Sequence, residues 1–381
     1  MTTRSRASVG GAALALAVLA CRAPAAPAPA RLAPSREEAT AASSQHLSLS
    51  VAGGCWLRDG KVWCWNGALD QPASPAPRAV PLPAAALDVA GSLHLGCAVL
   101  ATGTLHCWGD NTWGQLGAAS PAPSSETPLA VRGIDTAVAV AVAADHVCAA
   151  LQDGSVVCWG NNRYGQCGHD LEYAPAVRQL VLPERVDGVR GARRVVVSRT
   201  SSCAFGDGGT WCWGAMLGIH DSGTPTDRTR ATAIAPLARV KDVALGSDCG
   251  CALTAENRVA CFALTQYGCP SADVRAGVEP LFGWSDVRAL AVGDAGACAE
   301  RGDRGVVCWS HPARDPSLAG SFVPVARVLE ASAGVPVVAD GPCVLGAGRL
   351  ECWGGGYWNE SVDSAGGAER RAQRPQRILL P

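Results

Sequence analysis

Apolar positions in this chain fall in short runs broken by turn residues, and the runs recur. Asp88-Val89-Ala90-Gly91, Val243-Ala244-Leu245-Gly246 and Leu290-Ala291-Val292-Gly293 read as short strands, and each is followed by a β-hairpin. Two cysteines mark every hairpin: Cys55/Cys64, Cys97/Cys107, Cys148/Cys158, Cys203/Cys212, Cys251/Cys261, Cys298/Cys308 and Cys343/Cys352. An aromatic residue follows each second cysteine at once, in order Trp65, Trp108, Trp159, Trp213, Phe262, Trp309 and Trp353. The first cysteines run from 55 to 343 in six steps, about 48 residues each. A period of that size marks stacked supersecondary units.

The loops inside the hairpins follow the cysteine spacing. Asp59-Gly60, Asp207-Gly208 and Ala347-Gly348 stand midway in the shorter pairs and predict two-residue turns. The longer pairs add one loop residue, and the third loop position is Gly103, Gly154 or Asn257, residues that tolerate the left-handed conformation. In the sixth pair Arg304 falls there, with Gly305 next to it. Counting outward from either loop places each cysteine pair at a non-hydrogen-bonded site, where Cα atoms approach to about 4.5 Å. Seven intra-hairpin disulfides are the reading, each contributing at most roughly 2 to 3 kcal/mol, less any strain; the alternative is seven pairs of buried thiols. Zinc is disfavoured, because no Cys-x-x-Cys knuckle occurs.

Pro-bounded segments such as Pro77 to Pro83 add a fourth strand per repeat. Seven such sheets arranged radially make an all-β, seven-bladed β-propeller over residues 49–381. Pro375 to Pro381 matches Pro77 to Pro83, and no such segment convincingly precedes Cys55. The C-terminal strand is therefore expected to complete the first blade and close the ring.

Composition changes the picture in two ways. The 44 Gly and 25 Pro suit many short strands, and the net charge of −1 offers no sequence-wide attraction to nucleic acid or anionic membrane. The 18 Cys point to an oxidising compartment. Arg4 and Arg6 followed by the apolar run Ala7–Ala20 resemble a signal peptide over residues 1–20, and Val18-Leu19-Ala20-Cys21 resembles a lipobox, with lipidation at Cys21. Ordinary cleavage at Ala28-Pro29-Ala30 is the rival. Residues 21–48 then read as an anchor and a disordered Ala/Pro tether. Membrane attachment through that lipid alone, at an outer membrane or cell surface, is the expectation.

Cys107-Trp108-Gly109-Asp110-Asn111-Thr112-Trp113-Gly114-Gln115-Leu116-Gly117 and the segment from Cys148 to Gln166 resemble the regulator of chromosome condensation repeat. His146 also falls where that repeat often has His. Repeats four to seven keep the hairpin and lose most of the Asn-x-x-Gly-Gln-Leu-Gly tail. The resemblance implies a seven-bladed propeller. It does not carry the family's nucleotide-exchange activity over, since fold alone does not imply function and an exported chain does not meet a nuclear GTPase. Secreted bacterial propellers of this type, one of which inhibits β-lactamases by protein contact, are the apter comparison.

No metal-ligand spacing, Gly-x-Ser-x-Gly elbow or phosphate loop occurs, so no catalytic residue, metal or cofactor is assigned. His94, His106 and His146 read as satisfied structural groups. Cys249 and Cys269 form a plausible eighth bridge, leaving Cys167 buried or available to a partner. Trp113, Tyr164, Tyr267 and Trp358 each stand six residues after the second cysteine of their repeat. Equivalent propeller loops reach one face, so these rings are candidate contacts for a partner; local packing is the alternative. The expected activity is that of a monomeric, non-catalytic scaffold binding a protein or glycan at the cell envelope. An enzyme with a site in the channel and a purely structural component are the alternatives.

Overall fold

A computed structural model describes residues 45–50, 53–66, 77–92, 94–169, 179–215, 230–247, 249–264, 279–281, 284–293, 296–302, 305–310, 327–328, 335–338, 342–346, 349–352 and 376–379. The described strands form seven four-stranded antiparallel sheets, the blades of a β-propeller. The third blade is representative: Ala137–Val142, His146–Leu151, Val156–Asn161 and Gln179–Arg185 follow one another from the inner to the outer edge. The first strands of successive blades touch all the way round, and Gln45–Ser50 meets Val335–Val338 to close the circle. The only helical element among the described residues is a single 3-10 turn, Ala235–Leu237, and none of their helices is long and apolar enough to cross a membrane.

Each cysteine pair sits in direct register across its hairpin, as in Cys148 opposite Cys158 with a Cα separation of 4.1 Å. Six of the seven expected bridges are formed among the described residues. Disulfides join Cys55 to Cys64, Cys97 to Cys107, Cys148 to Cys158 and Cys203 to Cys212. They also join Cys251 to Cys261 and Cys298 to Cys308, each with a Cα separation of 4.0 Å. The hairpins of the fifth and sixth blades therefore carry the predicted pairing, although the sequence of the sixth departs from the loop pattern; Cys261 and Cys308 are fully buried. Cys343 faces Cys352 in the same backbone register. Cys249 is also disulfide-bonded, while its expected partner Cys269, like Cys21, lies outside the described residues. This many bridges belong to an oxidising compartment.

Among the described turns the expected chemistry holds with one exception, and Ala347-Gly348 lies outside the described residues. Asp59 and Gly60 both take positive φ, 52° and 74°, the primed turn that matches strand twist. Gly103, Gly154 and Asn257 are left-handed, at 84°, 80° and 60°. These turn residues also join blades: the carbonyls of Gly60, Gly103, Gly154 and Asn257 accept the N–H of Ala86, Ala137, Ala192 and Val287, at the entry of the next blade's first strand. At Asp207-Gly208 the positive φ shifts to Gly209, and glycine at 208 serves a close approach instead. A Cβ there would lie 2.2 Å from the Arg190 carbonyl oxygen.

The expected closure by the C-terminal strand is corrected. Gln376–Leu379 pairs with Arg349–Cys352 as the outer strand of the seventh sheet, placing Gln376 opposite Cys352. Arg78–Ala79 pairs likewise with the first hairpin, placing Arg78 opposite Cys64. The two Pro-bounded segments are thus equivalent, but each ends a blade. The first blade has its own inner strand, Gln45–Ser50, which begins inside the stretch read as tether.

Candidate functional site

Two structured loops leave the third strands of the second and third blades. Each begins at the glycine after the Cys-Trp pair: Gly109 and Gly160 have φ of 105° and 102°, and a Cβ on either would meet the carbonyl oxygen of His94 at 1.9 Å or of Asp145 at 2.5 Å. No side chain fits there, so the chain turns sharply across the end of the blade. The next residue, Asp110 or Asn161, donates its N–H to the same carbonyl at 2.8 Å.

An asparagine then organises each loop from within. Asn111 Oδ1 accepts the Leu116 N–H at 3.1 Å, and its amide donates to the carbonyls of Ser120 and Ala122. Asn162 repeats this with the Cys167 N–H at 2.9 Å and the His169 carbonyl at 3.2 Å. Gln115 and Gln166 fold back so that Oε1 accepts the N–H of Trp113 and Tyr164, at 2.7 and 2.8 Å. Each loop is therefore held by two side-chain clamps, of which the glutamine fixes the backbone of the candidate aromatic. Trp113 is half-buried, and its loop presses against Val181, which is 51% exposed. Tyr164 is 49% exposed. Both loops open at the end of the ring opposite the hairpin turns, as strand alternation requires. Tyr267 and Trp358 lie outside the described residues.

The residue after the turn glycine differs between the loops, Asp110 in one and Asn161 in the other. Asp110 accepts the Thr112 hydroxyl at 2.7 Å, the Thr112 N–H at 3.0 Å and Gln115 Nε2 at 3.2 Å. Partial burial pushes its carboxyl up, but the bonds from Thr112, Gln115 and Asn111 outweigh that and hold it below the ordinary range. Asn161, in the equivalent place, turns its amide toward Asp145 Oδ2 at 2.7 Å. Gln166 Nε2 is left buried with no hydrogen-bond partner.

The loops also lock blade to blade. Trp159 Nε1 donates to the Gln115 carbonyl at 2.7 Å, and Trp213 Nε1 to the Gln166 carbonyl at 2.9 Å. Sequence reasoning missed Gln115, Gln166, Asn111 and Asn162 as the holders of this face; their recurrence in the Asn-x-x-Gly-Gln tail was the available signal. Cys167 takes the place of Leu116 in the third blade and is buried as a free thiol. Burial first, then the charges of Asp145 and Glu184, pushes that thiol well above its ordinary value.

The three histidines diverge. His146 is fully buried, with Nδ1 3.3 Å from Asp145 Oδ1 and Nε2 3.0 Å from Ser202 Oγ. That connectivity resembles a hydrolase triad, yet Ser202 is also fully buried and its hydroxyl donates to the Gln166 carbonyl at 2.8 Å. The chain of bonds ties the third blade to the fourth. His106, read as satisfied, has a buried Nδ1 with no partner, and burial lowers its pKa. His94 is exposed and contributes its backbone carbonyl.

At the other end of the ring, an open groove of about 400 Å³ runs between Asp153-Gly154-Ser155 and Arg185–Arg190. Arg185 reaches Asp153 there at 3.7 Å.

Residues 102–150 and 137–166 match the Regulator of chromosome condensation (RCC1) repeat. Among solved structures the chain is similar to human WBSCR16, with 19% identity, 81% of this chain and 86% of that chain covered, and a TM-score of 0.63. It is similar to Prp20p from Saccharomyces cerevisiae at 18% identity, covering 74% and 76%, with a TM-score of 0.59. The ectodomain of the Arabidopsis thaliana receptor kinase ACR4 matches at 17% identity over 82% and 94%, with a TM-score of 0.50. At these identities the likeness establishes the fold.

Proposed function

We propose that this chain, a propeller of the RCC1-like repeat type, is an exported, non-catalytic scaffold that binds a protein or glycan at the cell envelope. The observation that carries this reading is the pair of clamped loops, which present Tyr164 and Trp113 beside Val181 of the outer strand on a rigid, disulfide-stapled frame. Aromatic groups held in place before binding lose little entropy when a partner arrives, and such groups dominate interface energetics. The reported binding of Prp20p to Gsp1p and histones supports protein contact as a use of this fold. The ACR4 ectodomain supports its use outside the cell.

Export through residues 1–20 and lipidation of Cys21 would leave a tether that ends where the first strand opens at Gln45. Mass analysis of the mature chain tests this, and a start at Arg31 with no acyl group would refute the anchor. For binding, capture from envelope extracts supplies the partner. Trp113→Ala and Tyr164→Ala are each expected to weaken it by about 1 kcal/mol or more, with the disulfides intact. Unchanged affinity in both variants, or turnover of a glycan or peptide by the purified protein, would overturn the reading.

A further inference from the structure

The first strands of five blades are irregular at the same place. In the second to sixth blades, the pairing with the second strand skips one residue near the start of the first strand, whereas the first sheet pairs without a shift and the described pairs of the seventh stop short of that position. The skipped residues are Leu87, Val138, Arg193, Lys241 and Arg288. A bulge swings its extra residue out of the ladder and re-aims the side chain. Because first strands touch their neighbours around the ring, the five bulges form an arc around one mouth of the channel, at the hairpin-turn end.

The arc is chemically divided. Leu87 is half-buried and Val138 is 44% exposed, so the part on the second and third blades is apolar. The rest is basic. Arg193 is held by Asp207 of its own turn, but Lys241 bonds the neutral Asn257 Oδ1 at 2.5 Å, and Arg288 is exposed. Arg239 and Arg258 act on Glu256 at the turn end of the fifth blade. After the hydrogen bond from Thr254, their charges help hold the exposed Glu256 carboxyl below its ordinary range. In a chain of net charge −1, this cationic patch is local.

We infer that this mouth binds an acidic peptide segment of a protein partner, with carboxylates on Lys241 and Arg288 and an apolar side chain against Val138. The apolar part decides between classes of anion: a nucleic acid or sulfated glycan gains little from exposed Val138, whereas a peptide offers both chemistries along one strand. The surface is distinct from the aromatic loops at the other end.

The test uses the full chain and three labelled probes followed by anisotropy: an oligoglutamate peptide ending in Leu-Leu, its glutamine counterpart, and heparin. The glutamate peptide is expected to bind, to weaken with added salt, and to lose about tenfold or more in affinity when Lys241→Glu and Arg288→Glu are combined. Lys241→Gln with Arg288→Gln serves if charge reversal harms folding, and should show a smaller loss of the same sign. Trp113→Ala with Tyr164→Ala should leave this binding unchanged, which separates it from the scaffold reading above. Equal binding of the glutamine peptide, preference for heparin, or indifference to both Lys241/Arg288 variants would overturn the inference.

Discussion

At the scale of residues, the two clamped loops differ at the position after the turn glycine, Asp110 in one and Asn161 in the other, and that difference is measurable. The Asp110 carboxyl has a lower pKa folded than unfolded, so its contribution is present above the unfolded value, about 3.9, and is lost as pH falls through the folded one. Acidification through and below the ordinary carboxylate range is therefore expected to loosen the loop holding Trp113 before the loop holding Tyr164, where Asn161 replaces that carboxyl and bonds Asp145 outside the loop. Residue-resolved NMR of the two loops checks this, and Asp110→Asn should abolish the difference. Cys167 gives a second expectation. Its buried thiol stays protonated, so iodoacetamide should label it only after unfolding, without reductant. Labelling of the native protein at Cys167 would show that the third blade opens. The residues that build these loops were partly legible. Trp113 and Tyr164 stand out by position, but clamping by Gln115 and Gln166 depends on a side chain folding back over its own loop, which spacing does not display.

At the scale of elements, cysteine spacing translated directly into structure. A two-residue or three-residue turn leaves an equal number of residues on each side, so the register of Cys97 opposite Cys107, or Cys203 opposite Cys212, follows from counting. The blade boundary was not legible in the same way. A repeat has period but no intrinsic start, and the Pro-bounded strand reads equally well as opening one blade or ending the one before. Register settles it, because Arg78 opposite Cys64 and Gln376 opposite Cys352 are the same pairing. Removing residues 376–379 is thus expected to strip hydrogen-exchange protection from Arg349–Cys352 and leave Gly53–Asn66 protected. Loss of protection in the first hairpin instead would restore closure by the tail.

At the scale of the whole molecule, stability is the sum of blades and the contacts between neighbours. The indole bonds of Trp159 and Trp213 cross two successive interfaces, so Phe in either place leaves a carbonyl short of a donor, at a cost of about 1 to 3 kcal/mol. Trp159→Phe should cost more than Trp213→Phe, since the Gln166 carbonyl keeps Ser202 as a second donor. The double variant should be additive within about 0.5 kcal/mol if the interfaces are independent. Denaturant melts of the three variants measure all of this.

Those same contacts have a polarity. Each of these blades offers carbonyls on one flank, from its turn and from its tail, and donors on the other, from its indole and from the entry of its first strand. A blade is therefore a tile with a plug and a socket, and tiles join in one order only. Duplicating one of these blades in sequence preserves these junctions, whereas a fragment cut from the circle carries an open plug and an open socket. Such fragments are primed to join head to tail into chains or rings of their own.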